Sequence, residues 1–136
     1  MLSSIIHNTD SFIASVPKLK RKKYGQFFTN MATANFMASL FCFYLTKPEL
    51  HLLDAGAGTG ILSAAVIDKL IQSGYTGRIY LTCYETDELV LPLLKSNLEL
   101  AKEECGINYE IIQDNYLTSQ LFEDNPLFSD NTKLYD

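Results

Sequence analysis

Apolar positions along the chain recur first at helical spacing and then alternate with short extended runs. Leu2 to Ala14 has loose helical spacing. Ala34, Met37, Ala38, Phe41 and Leu45 recur at three and four residues, which predicts a second helix over Ala32–Leu45, closed off by Pro48. Pro17 and the polar residues after it read as a connector. Leu50–Leu53 is a short apolar run leading into a glycine-rich turn and predicts a strand. Ile61–Ser73 carries Leu62, Ala65, Val66 and Leu70 on one side of a helix, with Gly74 placed to end it. Arg78–Tyr84 is rich in β-branched and aromatic residues and predicts the next strand. Leu91, Leu94, Leu98 and Ala101 predict a helix over Asp87–Lys102, with Asp87 as N-cap and Pro92 tolerated near the first turn. Glu110–Gln113 reads as a third short strand, and Leu121–Lys133, punctuated by Asp, Asn, Pro and Ser, as a loop.

Strand, helix, strand, helix, strand at this spacing implies an α/β fold: a parallel sheet with right-handed crossovers, preceded by N-terminal helices. The expected organisation is a helical segment over 1–48 and a sheet domain over 49–136, in one structural unit. Ligands of such sheets bind outside the carboxyl ends of the strands.

Composition adds limits rather than a function. At 136 residues, 47% hydrophobic and 20% charged, the chain is long enough for one buried core. It has no apolar run of membrane-spanning length and no cleavable leader pattern, so it reads as soluble and cytoplasmic. A net charge of −5 argues against a dedicated nucleic-acid-binding module. Lys18, Lys20, Arg21, Lys22 and Lys23 nevertheless cluster, as a solvated segment or as a phosphate contact. Cys42, Cys83 and Cys105 are widely spaced with no C-x-x-C, and His7 and His51 lack ligand-like neighbours. Reduced, mostly buried thiols and no metal are expected.

The candidate chemistry lies at the strand ends. Asp54-Ala55-Gly56-Ala57-Gly58-Thr59-Gly60 follows the first strand and opens a helix. Glycines belong where backbone turns tightly or meets a ligand closely, and a helix N-terminus beyond suits an anionic group. The dinucleotide fingerprint needs its third glycine at position 61, which is Ile61, and an acid about 20 residues on. Here the next strand-end acid is Glu85, 31 residues after Asp54. No Gly-Lys-Ser/Thr follows, so a P-loop is excluded.

This pattern resembles the nucleotide motif of the Rossmann-like S-adenosylmethionine-dependent methyltransferases. The resemblance implies that the three strands are the first half of that sheet and that S-adenosyl-L-methionine is the cofactor. It further implies that Asp54, Gly56, Gly58 and Gly60 form the loop against the methionine part. Glu85, followed by Thr86, would take the ribose hydroxyls, and a carboxylate suits this because it only accepts. Asp114 matches the position that meets the adenine amino group, and Tyr116 that of a ring beside it.

Lys22-Lys23-Tyr24-Gly25-Gln26-Phe27-Phe28-Thr29 is similar to the N-terminal motif of the adenine-N6 DNA methyltransferases. Its place before the glycine loop is the order of their gamma group, which includes restriction-modification proteins. By that resemblance Tyr24, Phe28 and Thr29 line the methionine end of the pocket, and DNA is the partner. Asn30 and Ala55 stand where proline is usual, and the first change is expected to loosen the helix that follows. The family's catalytic Asn/Asp-Pro-Pro-Tyr/Phe is absent. Asn125-Pro126-Leu127-Phe128 lacks the second proline and an apolar strand before it, and Lys133-Leu134-Tyr135-Asp136 looks like the opening of a fourth strand. The chain is thus expected to be a truncated, inactive portion of such an enzyme. Its first strand would then be an open edge, inviting homodimerisation or leaving the chain marginally stable. Alternatives are a methyltransferase acting on protein glutamine or RNA, or a non-catalytic cofactor-binding remnant.

Overall fold

The computed structural model of the chain describes residues 1–17, 29–43 and 45–123. Among the described residues eight elements follow one another: α1 (Leu2–Ser15), α2 (Met31–Ser39), β1 (Glu49–Asp54), α3 (Ile61–Gln72), β2 (Arg78–Tyr84), α4 (Leu91–Cys105), β3 (Asn108–Ile112) and α5 (Tyr116–Glu123). The three strands form one parallel sheet in the order β1-β2-β3, with Leu52 opposite Leu81 and Leu81 opposite Tyr109. Because strand order follows chain order and such crossovers are right-handed, α3 and α4 lie on the same face.

Strand pleating sends alternate side chains to that face. Leu50, Leu52, Ile79, Leu81 and Cys83 are buried there against Ile67 and Leu70 of α3 and Leu94 and Leu98 of α4. Each fully buried Leu or Ile contributes roughly 1.5–3 kcal/mol. Helix α1 packs across α3 and α4, and α2 packs on α3. The start of α1 is tied down at two points, the Met1 amino group to Glu104 at 3.0 Å and the Leu2 N–H to Asp68 at 3.1 Å. The opposite face of the sheet carries His51 stacked on its cross-strand partner Tyr80, with ring centroids 4.9 Å apart. On its side away from β2, β1 pairs with no strand among the described residues.

Several element boundaries differ from expectation, each for a local reason. Helix α4 begins at Leu91, not after Asp87. A helix capped by Asp87 would place Pro92 at its fifth position, where the missing N–H orphans a carbonyl; starting at Leu91 puts proline in the first turn. Asp87 instead shapes the turn before it, its side chain accepting the Leu89 N–H at 2.8 Å. Helix α2 ends at Ser39 rather than Leu45, because Phe41 and Phe43 leave the helical period and stack on each other at 5.7 Å. Strand β3 starts two residues early and ends one early, at Ile112. Leu121 to Glu123 belong to α5, not to a loop. Asn115 caps that helix, its side-chain oxygen accepting from Leu117 N and its carbonyl from Thr118 N and Ser119 N.

Asn30 also corrects the expectation attached to it. Its side chain accepts the Thr33 N–H at 2.9 Å, so it caps α2 rather than loosening it. A cap of this kind is worth about 1 kcal/mol. Of the cysteines only Cys83 is fully buried; Cys105 is half-buried and Cys42 exposed. No helix among the described residues is long and apolar enough to cross a membrane.

Candidate functional site

The carboxyl ends of β1 and β2 hold the glycine loop between them. Strand β1 delivers Asp54, whose carboxylate accepts the Ser63 hydroxyl at 2.5 Å and the Gly56 N–H. The loop then crosses toward β2, where Ala57 N donates to the Tyr84 carbonyl at 2.9 Å, and turns back with Gly60 N on Ala57 O at 2.8 Å. Gly58 and Gly60 have φ of +54° and +82°, the left-handed region that glycine adopts without strain. A Cβ on Gly60 would also press on Leu94 at 3.2 Å. Gly56 is different: its φ is not left-handed, and a Cβ there would meet nothing within 4 Å. Neither demand inside the chain requires glycine at 56, and the space beside its backbone is open.

Glu85, the first residue past β2, reaches back over this loop. Its Oε2 accepts the Gly58 N–H at 2.8 Å, and its Oε1 accepts the N–H groups of Thr86 at 2.7 Å and Asp87 at 2.8 Å. One carboxylate therefore joins the ends of two strands through backbone donors. Past β3, Asp114 is exposed and two residues beyond the strand end, its Oδ1 accepting the Asn115 N–H at 2.7 Å. Tyr116 meets Tyr84 edge-on, centroids 5.1 Å apart, which places it beside the residue that precedes Glu85.

Of the residues singled out from sequence, the structure thus gathers Asp54, the glycines, Glu85 and Thr86 at one point, with Asp114 and Tyr116 at the end of the neighbouring strand. Thr29 is half-buried next to the Asn30 cap. Tyr24, Phe28, the basic cluster, and the segments at 125–128 and 133–136 lie outside the described residues. Sequence reasoning missed Ser63 and the buried polar residues Thr9, Thr59 and Asn97. Thr9 and Asn97 interrupt apolar helix faces, and that interruption is the signal that marks them.

No family model matches the chain. It is 36% identical over 121 residues to the type II methyltransferase M.BsuBI of Bacillus subtilis, covering 85% of this chain and 23% of that protein. It is 35% identical over 106 residues to the type II methyltransferase M.PstI of Providencia stuartii, covering 74% of this chain and 20% of that protein. The chain is related to the type II methyltransferases. It spans less than a quarter of the length of these two relatives. A crystal structure of a Listeria monocytogenes protein assigned to the class I S-adenosylmethionine-dependent methyltransferases superposes with a TM-score of 0.50 at 22% identity, over 71% of this chain and 30% of that one. The fold is accordingly the Rossmann-like half-sheet expected from sequence.

In this half-sheet Asp54 carries an electrostatic cost. Burial raises its pKa above the ordinary 3.8, the Ser63 and Gly56 hydrogen bonds oppose the rise, and Glu85 adds to it. Cys83 beside it is pushed up as well, chiefly by burial, and stays a thiol. Since the fold raises the pKa of Asp54, its contribution to stability is fully present below 3.8 and lost as pH climbs through the folded value. Asp54→Asn should therefore melt above wild type at pH 7. The gap should close as pH falls toward 3.8. Melting curves across that range that run parallel would contradict this assignment.

Proposed function

We propose that this chain is the S-adenosylmethionine-binding portion of a site-specific DNA adenine-N6 methyltransferase of the gamma arrangement. The observation that carries the reading is the meeting of Glu85 with the loop at Gly58. It puts an acceptor-only side chain beside backbone that has no Cβ to keep a ligand away. The residues present suit the cofactor. A carboxylate has about four acceptor positions, and three are used by Gly58, Thr86 and Asp87. Taking both ribose hydroxyls thus requires exchange of at least one N–H, and the Gly58 bond, made across the cleft, is the one to yield. Open space at Gly56 suits close approach of the methionine part. Asp114 would accept from the adenine amino group, Tyr116 would flank the ring, and Tyr24, Phe28 and Thr29 would close the methionine end.

Bound there, the cofactor supplies a sulfonium methyl group for in-line transfer. The part played by these residues is to bind and orient it, since positioning supplies much of the rate in such transfers. DNA as substrate and adenine N6 as acceptor rest on the Lys22–Thr29 motif ahead of the glycine loop and on kinship with type II methyltransferases. No Asn-Pro-Pro occurs in the 136 residues, so we further propose that they transfer no methyl group by themselves. We assign the outer edge of β1, with Leu50, Leu52 and Leu53 at its centre, to pairing with a second copy.

Calorimetry with S-adenosylmethionine should show binding that Glu85→Gln and Gly56→Ala each weaken by about 10- to 100-fold, the worth of one or two charge-assisted hydrogen bonds or of a blocked approach. Gly56→Ala should keep the wild-type melting temperature within about 2 °C, because Ala is unstrained there. Affinities equal to wild type would end the cofactor assignment. Light scattering on the purified chain should give twice the chain mass, and a stable, compact monomer would end the edge-pairing assignment.

A further inference from the structure

The glycine loop is held from behind by a buried polar relay that runs to the N-terminal helix. Thr9 of α1 is 1% exposed, and its Oγ1 lies 2.8 Å from the Ile5 carbonyl and 3.0 Å from Oγ1 of Thr59, fifty residues away. A hydroxyl has one proton. Thr9 gives its proton to Ile5, so Thr59 is the donor in the second bond. The carbonyl of Thr59 in turn accepts from Nδ2 of Asn97 on α4 at 2.9 Å, and Oδ1 of Asn97, fully buried, accepts from Asn8 Nδ2 at 2.9 Å. Thr59 is thereby gripped at its side chain and at its carbonyl, and both grips lead back to neighbouring residues of α1. It stands between Gly58, whose N–H faces Glu85, and Gly60, which opens α3.

We propose that Thr9 is a positioning residue for the cofactor loop, and that docking of α1 and binding of cofactor are coupled through Thr59. The inference rests on the cofactor reading given above. Its physical basis is that a buried hydroxyl or amide without a partner is costly, so the loop keeps the one placement that satisfies Thr9, Thr59 and Asn97 together. Moving Thr59 moves the Gly58 N–H that Glu85 accepts. Coupling of this kind is reciprocal: cutting the relay to α1 weakens the ligand, and the ligand tightens α1.

The test uses the whole chain and four variants. Thr9→Val keeps the shape and deletes the hydroxyl, Thr9→Ser keeps the hydroxyl, Asn8→Ala cuts the outer bond, and Ile5→Val removes one methylene from the α1 core while leaving the Ile5 carbonyl and every bond of the relay in place. By calorimetry with S-adenosylmethionine, Thr9→Val should bind about 10-fold more weakly and Asn8→Ala about 3-fold. Thr9→Ser and Ile5→Val should stay within about 2-fold. Without ligand, amide exchange at Gly58 and Thr59 should be about 10-fold faster in Thr9→Val and unchanged in Ile5→Val. With ligand, the α1 amides of wild type should exchange more slowly. Wild-type affinity in Thr9→Val, or equal loss in Ile5→Val, overturns the proposal. So does loop exchange indifferent to Thr9. A wild-type chain that binds no cofactor, but whose loop exchange still follows Thr9, would sink the functional reading and the coupling to ligand while leaving Thr9 as the loop's anchor.

Discussion

A carboxylate that leaves one β-strand and accepts a backbone N–H at the end of the next strand couples two turns that chain connectivity leaves apart. Glu85 does this at Gly58, with two further N–H bonds at its own turn. The arrangement requires parallel strands in register, so that the ends of β1 and β2 lie side by side. It also requires a loop with no Cβ in the way. Apolar burial under the sheet supplies the first condition and the glycines the second. Asp54, held by Ser63 and Gly56, fixes where the loop begins, and Thr59, held by α1 and α4, fixes where it turns.

Much of this was legible from local pattern. Arg78–Tyr84 is bounded by Gly77 on one side and polar Glu85 on the other, and the strand has those limits. Ile61 follows a glycine that must be left-handed, and α3 starts there. Patterns blurred where two signals competed. Asp87 offers an N-cap ahead of the leucine stripe, but Pro92 fits the first turn only if the helix starts at Leu91, and Phe41 keeps helical spacing yet stacks on Phe43 beyond the end of α2. Helix α5 is hard to read locally because Asp, Asn, Pro and Ser dominate the stretch after Leu121, while the Asn115 cap that starts it stands in the turn after β3.

The site divides the same way. Asp54, the glycines and Glu85 are recognisable because each occupies a strand end next to residues that define it. The bond between Glu85 and Gly58 spans 27 residues, and those of Thr59 span 38 and 50. Contacts of that separation leave no local trace beyond a polar residue on an apolar face. Similarity to type II methyltransferases extends over 74–85% of the chain. The relay gives α1 a physical connection to the loop.

Under the proposed function, the Glu85 carboxylate exchanges backbone donors for the hydroxyls of a ribose. A crystal structure of the chain grown with S-adenosylhomocysteine tests it directly. The nucleoside should lie between residues 56–60 and Glu85, with both ribose hydroxyls on that carboxylate and at least one of its three N–H bonds released. A nucleoside bound elsewhere, with Glu85 still accepting from Gly58, Thr86 and Asp87, would contradict it.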